Sequence, residues 1–389
     1  SNGSGIDTLN GAQVLIGNVN LTVTTPATPN TAGALVPTID LATGNVVIPA
    51  GTPAGSYTIT YQICEKLNPT NCDTAVVTIP VAKAVIDAVN DTMPSTNGAT
   101  GSTNAGNIFA SNGSGIDTLN GTQVLIGNVN LSVTAPATPN TAGALVPTID
   151  LATGNVIIPA GTPAGSYTIT YQICEKLNPT NCDTAIVTIP VAKAVIDAVN
   201  DTIPSTNGAT GNTNAGNIFA SNGSGIDTLN GAQVLIGNVN LSVTTPATPN
   251  TAGALVPTID LATGNVVIPA GTPAGNYTIT YQICEKLNPT NCDTAIVTIP
   301  VTKAVIDAQN DAIPSTNGAT GNNNAGNIFA SNGSGIDTLN GAQVLISNVN
   351  LSVTTPATPN TAGALVPTID LATGNVVIPA GTPAGSYTI

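Results

Sequence analysis

SYTITYQICEKLNPTNCDTAVVTIPV, spanning Ser56–Val81, is the stretch whose reading decides the fold. In its first half Tyr57, Ile59, Tyr61 and Ile63 occupy one parity, and Thr58, Thr60 and Gln62 the other. In its second half Ala75, Val77, Ile79 and Val81 form the apolar row, opposed by Thr74, Val76 and Thr78. A period of two is the pattern of a half-buried strand. The residues between, EKLNPTN, are turn-formers, so the stretch predicts an antiparallel hairpin. Cys64 falls on the Thr58/Thr60/Gln62 parity and Cys72 on the Thr74/Thr78 parity, which points both away from the core. Facing residues in an antiparallel pair come close enough for a disulfide, which would staple the end of the hairpin.

The same stretch returns with a fixed period. SNGSGIDTLNG begins at Ser1, Ser111, Ser221 and Ser331, 110 residues apart each time, in a chain of 389. A long strict repeat marks a modular array. Cysteine pairs accordingly recur at Cys64/Cys72, Cys174/Cys182 and Cys284/Cys292. An even count at constant spacing, with no C-x-x-C and no histidine, favours disulfides in an oxidising, extracytoplasmic setting over free thiols or a metal site.

The remaining strand signals are short. Val19, Leu21 and Val23 alternate with polar neighbours, a turn at Leu41–Gly44 joins Pro37–Asp40 to Asn45–Ile48, and Lys83–Ala88 reads as a further strand. No segment has helical periodicity. About seven short strands in roughly 100 residues predict an all-β, tandem array of immunoglobulin-like Greek-key sandwiches forming an elongated rod. Tyr57, after the turn Ala54-Gly55, is the expected tyrosine corner. If the Lys83–Ala88 strand opens each domain, the boundaries fall at 1–83 (lacking a first strand), 84–193, 194–303 and 304–389 (stopping in the sixth strand). The interruption at Ile389 inside a strand reads as a slice of a longer protein. So short a junction implies a semi-rigid array, each domain adding about 30–40 Å at ~3.3 Å per strand residue.

Composition excludes several functions. Charged residues make up 7% of the chain, the net charge is −14, and histidine is absent. All six basic residues are lysine. Such a chain repels polyanions, so no nucleic-acid partner is expected, and no apolar run is long enough for a membrane helix. Ser-His-Asp and Cys-His catalysis lack their parts. The carboxylates Asp7, Asp40, Glu65, Asp73, Asp87 and Asp91 sit in no apolar context that would tune a catalytic pair, and the chain is read as non-enzymatic.

One polar cluster stands out, Asp87/Asn90/Asp91, repeated as Asp197/Asn200/Asp201 and Asp307/Asn310/Asp311. It falls at the expected junctions and resembles the cadherin linker motif D-x-N-D-x-x-P with one residue inserted. Two readings stand: hard oxygen ligands for calcium, or Asp and Asn side chains capping turns. The triplets at Thr8, Thr74 and Thr92 resemble the Asp-Thr-apolar O-glycosylation motif of Bacteroidetes. Lys83 is a weaker candidate for an isopeptide bond.

The string AGTPAGSYTITYQICEKLNPTNCDTAVVTIPV followed by AVIDAVNDT resembles the repeats of the giant gliding-motility surface adhesins of Bacteroidetes (the SprB-like family), in every copy. That resemblance implies type IX secretion, a cell-surface location associated with the outer membrane, and coupling to the gliding and secretion machinery there. It implies that this segment is stalk, contact with an extracellular surface or polysaccharide being made by other parts of the parent protein. Two other functions compete: a multivalent module binding surface glycan or protein through each repeat, and a self-assembling extracellular filament.

Overall fold

The computed structural model describes Gly3 and residues 5–389. The chain divides into two compact units: one runs up to Val195 and takes in Glu285–Asn291, the other comprises Ile196–Cys284 and Cys292–Ile389.

In the first unit, the Gly165–Glu175 and Cys182–Ala192 strands form the expected hairpin, with Tyr167 opposite Ile189 and Cys174 opposite Cys182. Val129–Ala135 pairs antiparallel with the outer edge of Gly165–Glu175. Two short strands, Asp91–Thr92 and Thr96–Asn97, run parallel to Cys182–Ala192 on the other edge. A second sheet orders Ser102–Asn107, Asn155–Ile158 and Thr148–Ile149. The two sheets close on one core. Val156, Ile158 and Ile149 come from the smaller sheet, and Tyr167, Ile169, Tyr171, Ile173, Val187 and Ile189 from the larger. Fully burying each aliphatic side chain contributes about 1.5–3 kcal/mol, so this row supplies most of what holds the sheets together. The repeat is an immunoglobulin-like β-sandwich. Its parity follows the sequence: inward residues of the hairpin are buried, and the cysteines lie on the outer face.

Residues before Val81 in this unit carry the corresponding three-stranded sheet, Val19–Thr25, Gly55–Glu65 and Cys72–Val81. It has a smaller core of Ala27, Tyr57, Ile59 and Ile79.

The second unit repeats the layout. Asp201–Thr202 and Thr206–Asn207 run parallel to Cys292–Thr302, Asn212–Asn217 joins Asn265–Ile268, and the core gathers residues from Ile203 to Val301. Its last stretch pairs Ile306–Asp307 with Thr338–Leu339, and Thr368–Ile369 with Val376–Val377.

One expectation is corrected. The strand read over Lys83–Ala88 is only Ile86–Asp87, and it pairs with Thr118–Leu119. Thr118–Leu119 itself turns into Thr122–Gln123 through Asn120 (φ 52°) and Gly121 (φ 73°). Positive φ at both positions is the two-residue hairpin geometry that Asn-Gly favours. The edge of the hairpin sheet is supplied by the two parallel pieces after Asn90.

Candidate functional site

Each complete repeat carries two polar centres, one buried inside the sandwich and one at the tip of the disulfide-closed hairpin.

The buried centre begins with the tyrosine row. Tyr171 is fully buried, and its hydroxyl needs a partner in the core. It lies 3.0 Å from Asp91 Oδ2, 3.0 and 3.2 Å from the two carboxylate oxygens of Asp117, and 3.1 Å from the Val89 carbonyl. Both carboxylates are shielded: Asp91 is 3% exposed and Asp117 1%. Asp117 Oδ1 also accepts the Val89 N–H at 2.7 Å. Burial, partly offset by the Tyr171 hydrogen bond and reinforced by Asp117, pushes Asp91 up to about 7. Burial likewise raises Asp117 to about 6, against the Val89 and Tyr171 hydrogen bonds and with help from the charges of Asp87 and Asp183. Desolvation and the two carboxylates push the Tyr171 phenol up. Tyr281, Asp201 and Asp227 reproduce the arrangement. In the first copy Tyr61 donates to Asp7 at 2.8 Å and is raised to about 12, chiefly by burial.

The predicted Asp87/Asn90/Asp91 cluster is divided by this geometry. Asp91 points inward to Tyr171. Asn90 is exposed, and its Oδ1 accepts the Ile186 N–H at 2.8 Å, within the same sandwich. Asp87 is exposed on its short strand, as is Asp197 in the next copy. Asn200 and Asp201 make the matching bonds to Ile296 and Tyr281. Asn90 Oδ1 and Asp91 Oδ2 thus accept donors from different parts of the same sandwich.

The third trio, Asp307/Asn310/Asp311, is split in the same way. Asp307 accepts from Gln309 Nε2 at 2.8 Å. Asn310 is exposed, and its backbone carbonyl accepts the Ser334 N–H at 3.1 Å. Asp311 is half-buried in a bridge to Gly333, and its carboxyl is raised by burial and by Asp337. Among the described residues, no group of three or more His, Cys, Asp or Glu is placed to hold a metal.

At the hairpin tip, Cys64–Cys72, Cys174–Cys182 and Cys284–Cys292 are each bonded, with Cα atoms 4.1, 4.0 and 4.0 Å apart. The loop closed by Cys174–Cys182 holds a buried carboxylate. Glu175 accepts from Asn178 Nδ2 (2.6 Å), Asn181 Nδ2 (2.9 Å) and the Ala84 N–H (3.2 Å). Asn181 also donates to the Ala84 carbonyl at 2.8 Å.

Tyr57 is buried, and its hydroxyl donates to the Pro53 carbonyl four residues back at 2.8 Å, the tyrosine-corner bond. Tyr167 and Tyr277 do the same with Pro163 and Pro273. Thr8, Thr74 and Thr92 are exposed, as is Lys83. The centres that sequence reasoning missed are Asp117 and Glu175. A tyrosine in the apolar row was the available signal for the first, since a buried hydroxyl demands a buried polar partner.

No family model matches the chain, and none of the curated proteins matches it. Among solved structures it is similar to mouse cadherin-23 EC22-24, at 11% identity over 74% of this chain and 86% of that one, with a TM-score of 0.26. It is also similar to the protocadherin gammaB7 EC3-6 cis-dimer structure, at 13% identity over 98% of this chain and 87% of that one, with a TM-score of 0.26. The fold assignment stands on the strand pairing and the core: the chain is a tandem array of disulfide-bonded, immunoglobulin-like β-sandwich repeats.

Proposed function

We propose that the chain is a stalk segment of a secreted, surface-displayed adhesin, a rod of repeats framed at 84–193 and 194–303 that spaces an adhesive part away from the cell and transmits force to it. The observation that carries this reading is the junction. Four residues separate the Cys72–Val81 strand from Ile86–Asp87, and Ala84 among them is hydrogen-bonded through both its N–H and its carbonyl. A tether so short and so held favours a stiff array over beads on a string. Disulfides in every complete copy suit an extracellular location. The resemblance of the repeat to gliding-motility adhesins supplies the finer reading: type IX export, outer-membrane association, and partners in the gliding machinery and on an external surface or polysaccharide.

Small-angle scattering of the full chain tests the stalk. A compact body of this length has a radius of gyration of roughly 21 Å. A rod of about 120 Å, from repeats of about 30–40 Å, gives roughly 35 Å. A value near the compact one, or saturable binding of an immobilised surface glycan by this chain alone, would overturn the reading.

A further inference from the structure

The disulfide-closed loop does more than end a hairpin. The Pro53-Ala54 turn, fixed by the Tyr57 hydroxyl, leaves the Ala54 N–H aimed outward, and Asn178 Oδ1 accepts it at 2.8 Å from 124 residues downstream. The same Asn178 side chain donates through Nδ2 to Glu175. Glu175 in turn takes the Ala84 N–H of the linker, and Asn181 the Ala84 carbonyl. One carboxylate thus ties together its own loop, the linker entering its repeat, and the turn of the repeat before. The arrangement recurs: Asn288 accepts the Ala164 N–H at 2.8 Å, and Glu285 the Ala194 N–H at 3.2 Å.

The chain contains its own comparison. The loop after Cys64 has the same sequence, with no earlier repeat in the chain to meet. There Leu67 is 88% exposed, against 46% for Leu177. Glu65 is only half-buried and keeps its bond to Asn71, whereas Glu175 is 6% exposed.

We propose that the Glu175–Asn181 loop is an inter-repeat clasp: the Cys174–Cys182 bond holds the loop in shape, the Glu175 carboxylate and Asn181 grip the linker at Ala84, and Asn178 docks on the tyrosine-corner turn of the preceding repeat. The joint is set by protein hydrogen bonds. A carboxylate accepting three donors makes charge-assisted bonds, stronger than neutral ones, which suits it to fixing a hinge. The clasp is local geometry and holds whatever the array is for.

Residue-resolved hydrogen–deuterium exchange on the full oxidised chain tests it. Ala54 and Ala164 N–H are the probes for docking, and Ala84 and Ala194 N–H for the linker grip. Asn178→Ala with Asn288→Ala is expected to speed exchange at Ala54 and Ala164 by about tenfold, the loss of one hydrogen bond, with core amides such as Val187 unchanged. Asn68→Ala, in a loop that supplies the acceptor of none of the four probes, is expected to leave them unchanged. Replacing Cys174 and Cys182 together by serine is expected to speed Ala84 and Ala54 in the same way, and a calcium chelator to have no effect. Unchanged exchange at Ala54 in Asn178→Ala would overturn the clasp, as would acceleration of all four probes by the chelator. Should Asn178→Ala unfold the repeat, Asn288→Ala alone supplies the second reading: it is expected to speed exchange at Ala164 and leave Ala54 protected, and unchanged exchange at Ala164 would overturn the clasp.

Discussion

The buried Asp91–Tyr171–Asp117 centre makes the complete repeats less stable as the solution becomes more basic. A phenol has one proton to give, yet four acceptor oxygens stand 3.0–3.2 Å from the Tyr171 hydroxyl, three of them on carboxylates. Two buried carboxylates facing one donor require a further proton. Asp117 already accepts the Val89 N–H, so the proton belongs on Asp91, whose carboxyl is raised to about 7 by burial and by the Asp117 charge. An unfolded Asp titrates near 3.9. The folded state therefore holds the proton more tightly. Its stabilisation is fully present below the unfolded value and is lost as pH rises through about 7. For one proton, the linkage between pH 5 and pH 8 amounts to about 2.5 kcal/mol per repeat, a large part of the ~5–15 kcal/mol typical of a domain. Asp117, itself raised to about 6, is coupled to Asp91, so the pair takes up protons as a unit.

Urea unfolding of the full chain from pH 5 to 8 measures this, with an expected fall in the midpoint on the order of 1–2 M. Asp91→Asn with Asp201→Asn replaces the acid proton by an amide N–H that does not titrate. The double variant is expected to lose most of the slope and to be the more stable protein at pH 8. A wild-type midpoint that is flat or rises over that range would refute the reasoning. So would a double variant that keeps the full slope, because the proton would then reside elsewhere.

Other perturbations isolate single features. Tyr167→Phe removes the hydroxyl that donates to Pro163 at 2.8 Å and accepts from Asn140, and is expected to cost about 1–2 kcal/mol by thermal unfolding. Gly154→Ala places a Cβ 2.7 Å from the Phe109 ring at a φ of +78°, and is expected to destabilise by more than about 2 kcal/mol; Gly127→Ala, with open space around it, is expected to be nearly silent. Removing the Cys174–Cys182 bond, which spans eight residues, is expected to cost about 2.5 kcal/mol in denaturant titrations of oxidised protein against the serine double variant. Asp150 is held below the usual carboxylate range, first by the Thr153 hydroxyl and then by the Ala152 N–H. Thr153→Val is expected to raise its carboxyl toward the ordinary value in an NMR titration.

The hairpin was readable because its information is local. Tyr167, Ile169, Tyr171 and Ile173 alternate over a strand long enough to display its period, and the cysteine parity follows from the same count. The parallel edge was not readable. Asp91–Thr92 and Thr96–Asn97 are two residues each, too short for any period, and their partner lies some 96 residues later at Val187 and beyond. Asp117 was invisible for a related reason. It sits in the repeat-opening string IDTLNG with no local hint of burial, and only the fold brings it to Tyr171, 54 residues away.

The acidic motif shows how one pattern supports opposite chemistries. Asp87, Asn90 and Asp91 converge on an ion only if the backbone carrying them is irregular, as in a linker between domains. Here Asp91 is paired in a ladder opposite Val187. Asn90 lies just before that strand and Asp91 opens it. The pairing brings Asp91 to the Tyr171 hydroxyl, while Asn90 takes the Ile186 amide. What remains to hold successive repeats is carried by a residue that the motif does not contain. Glu175 follows the cysteine that begins the loop, and Asn178 and Asn181 complete its set within the same closed turn. Duplication then copies the clasp with the fold, because loop, linker and receiving turn all lie inside one 110-residue period. An array built this way gains a joint with each repeat added and needs no separate linker sequence to specify it.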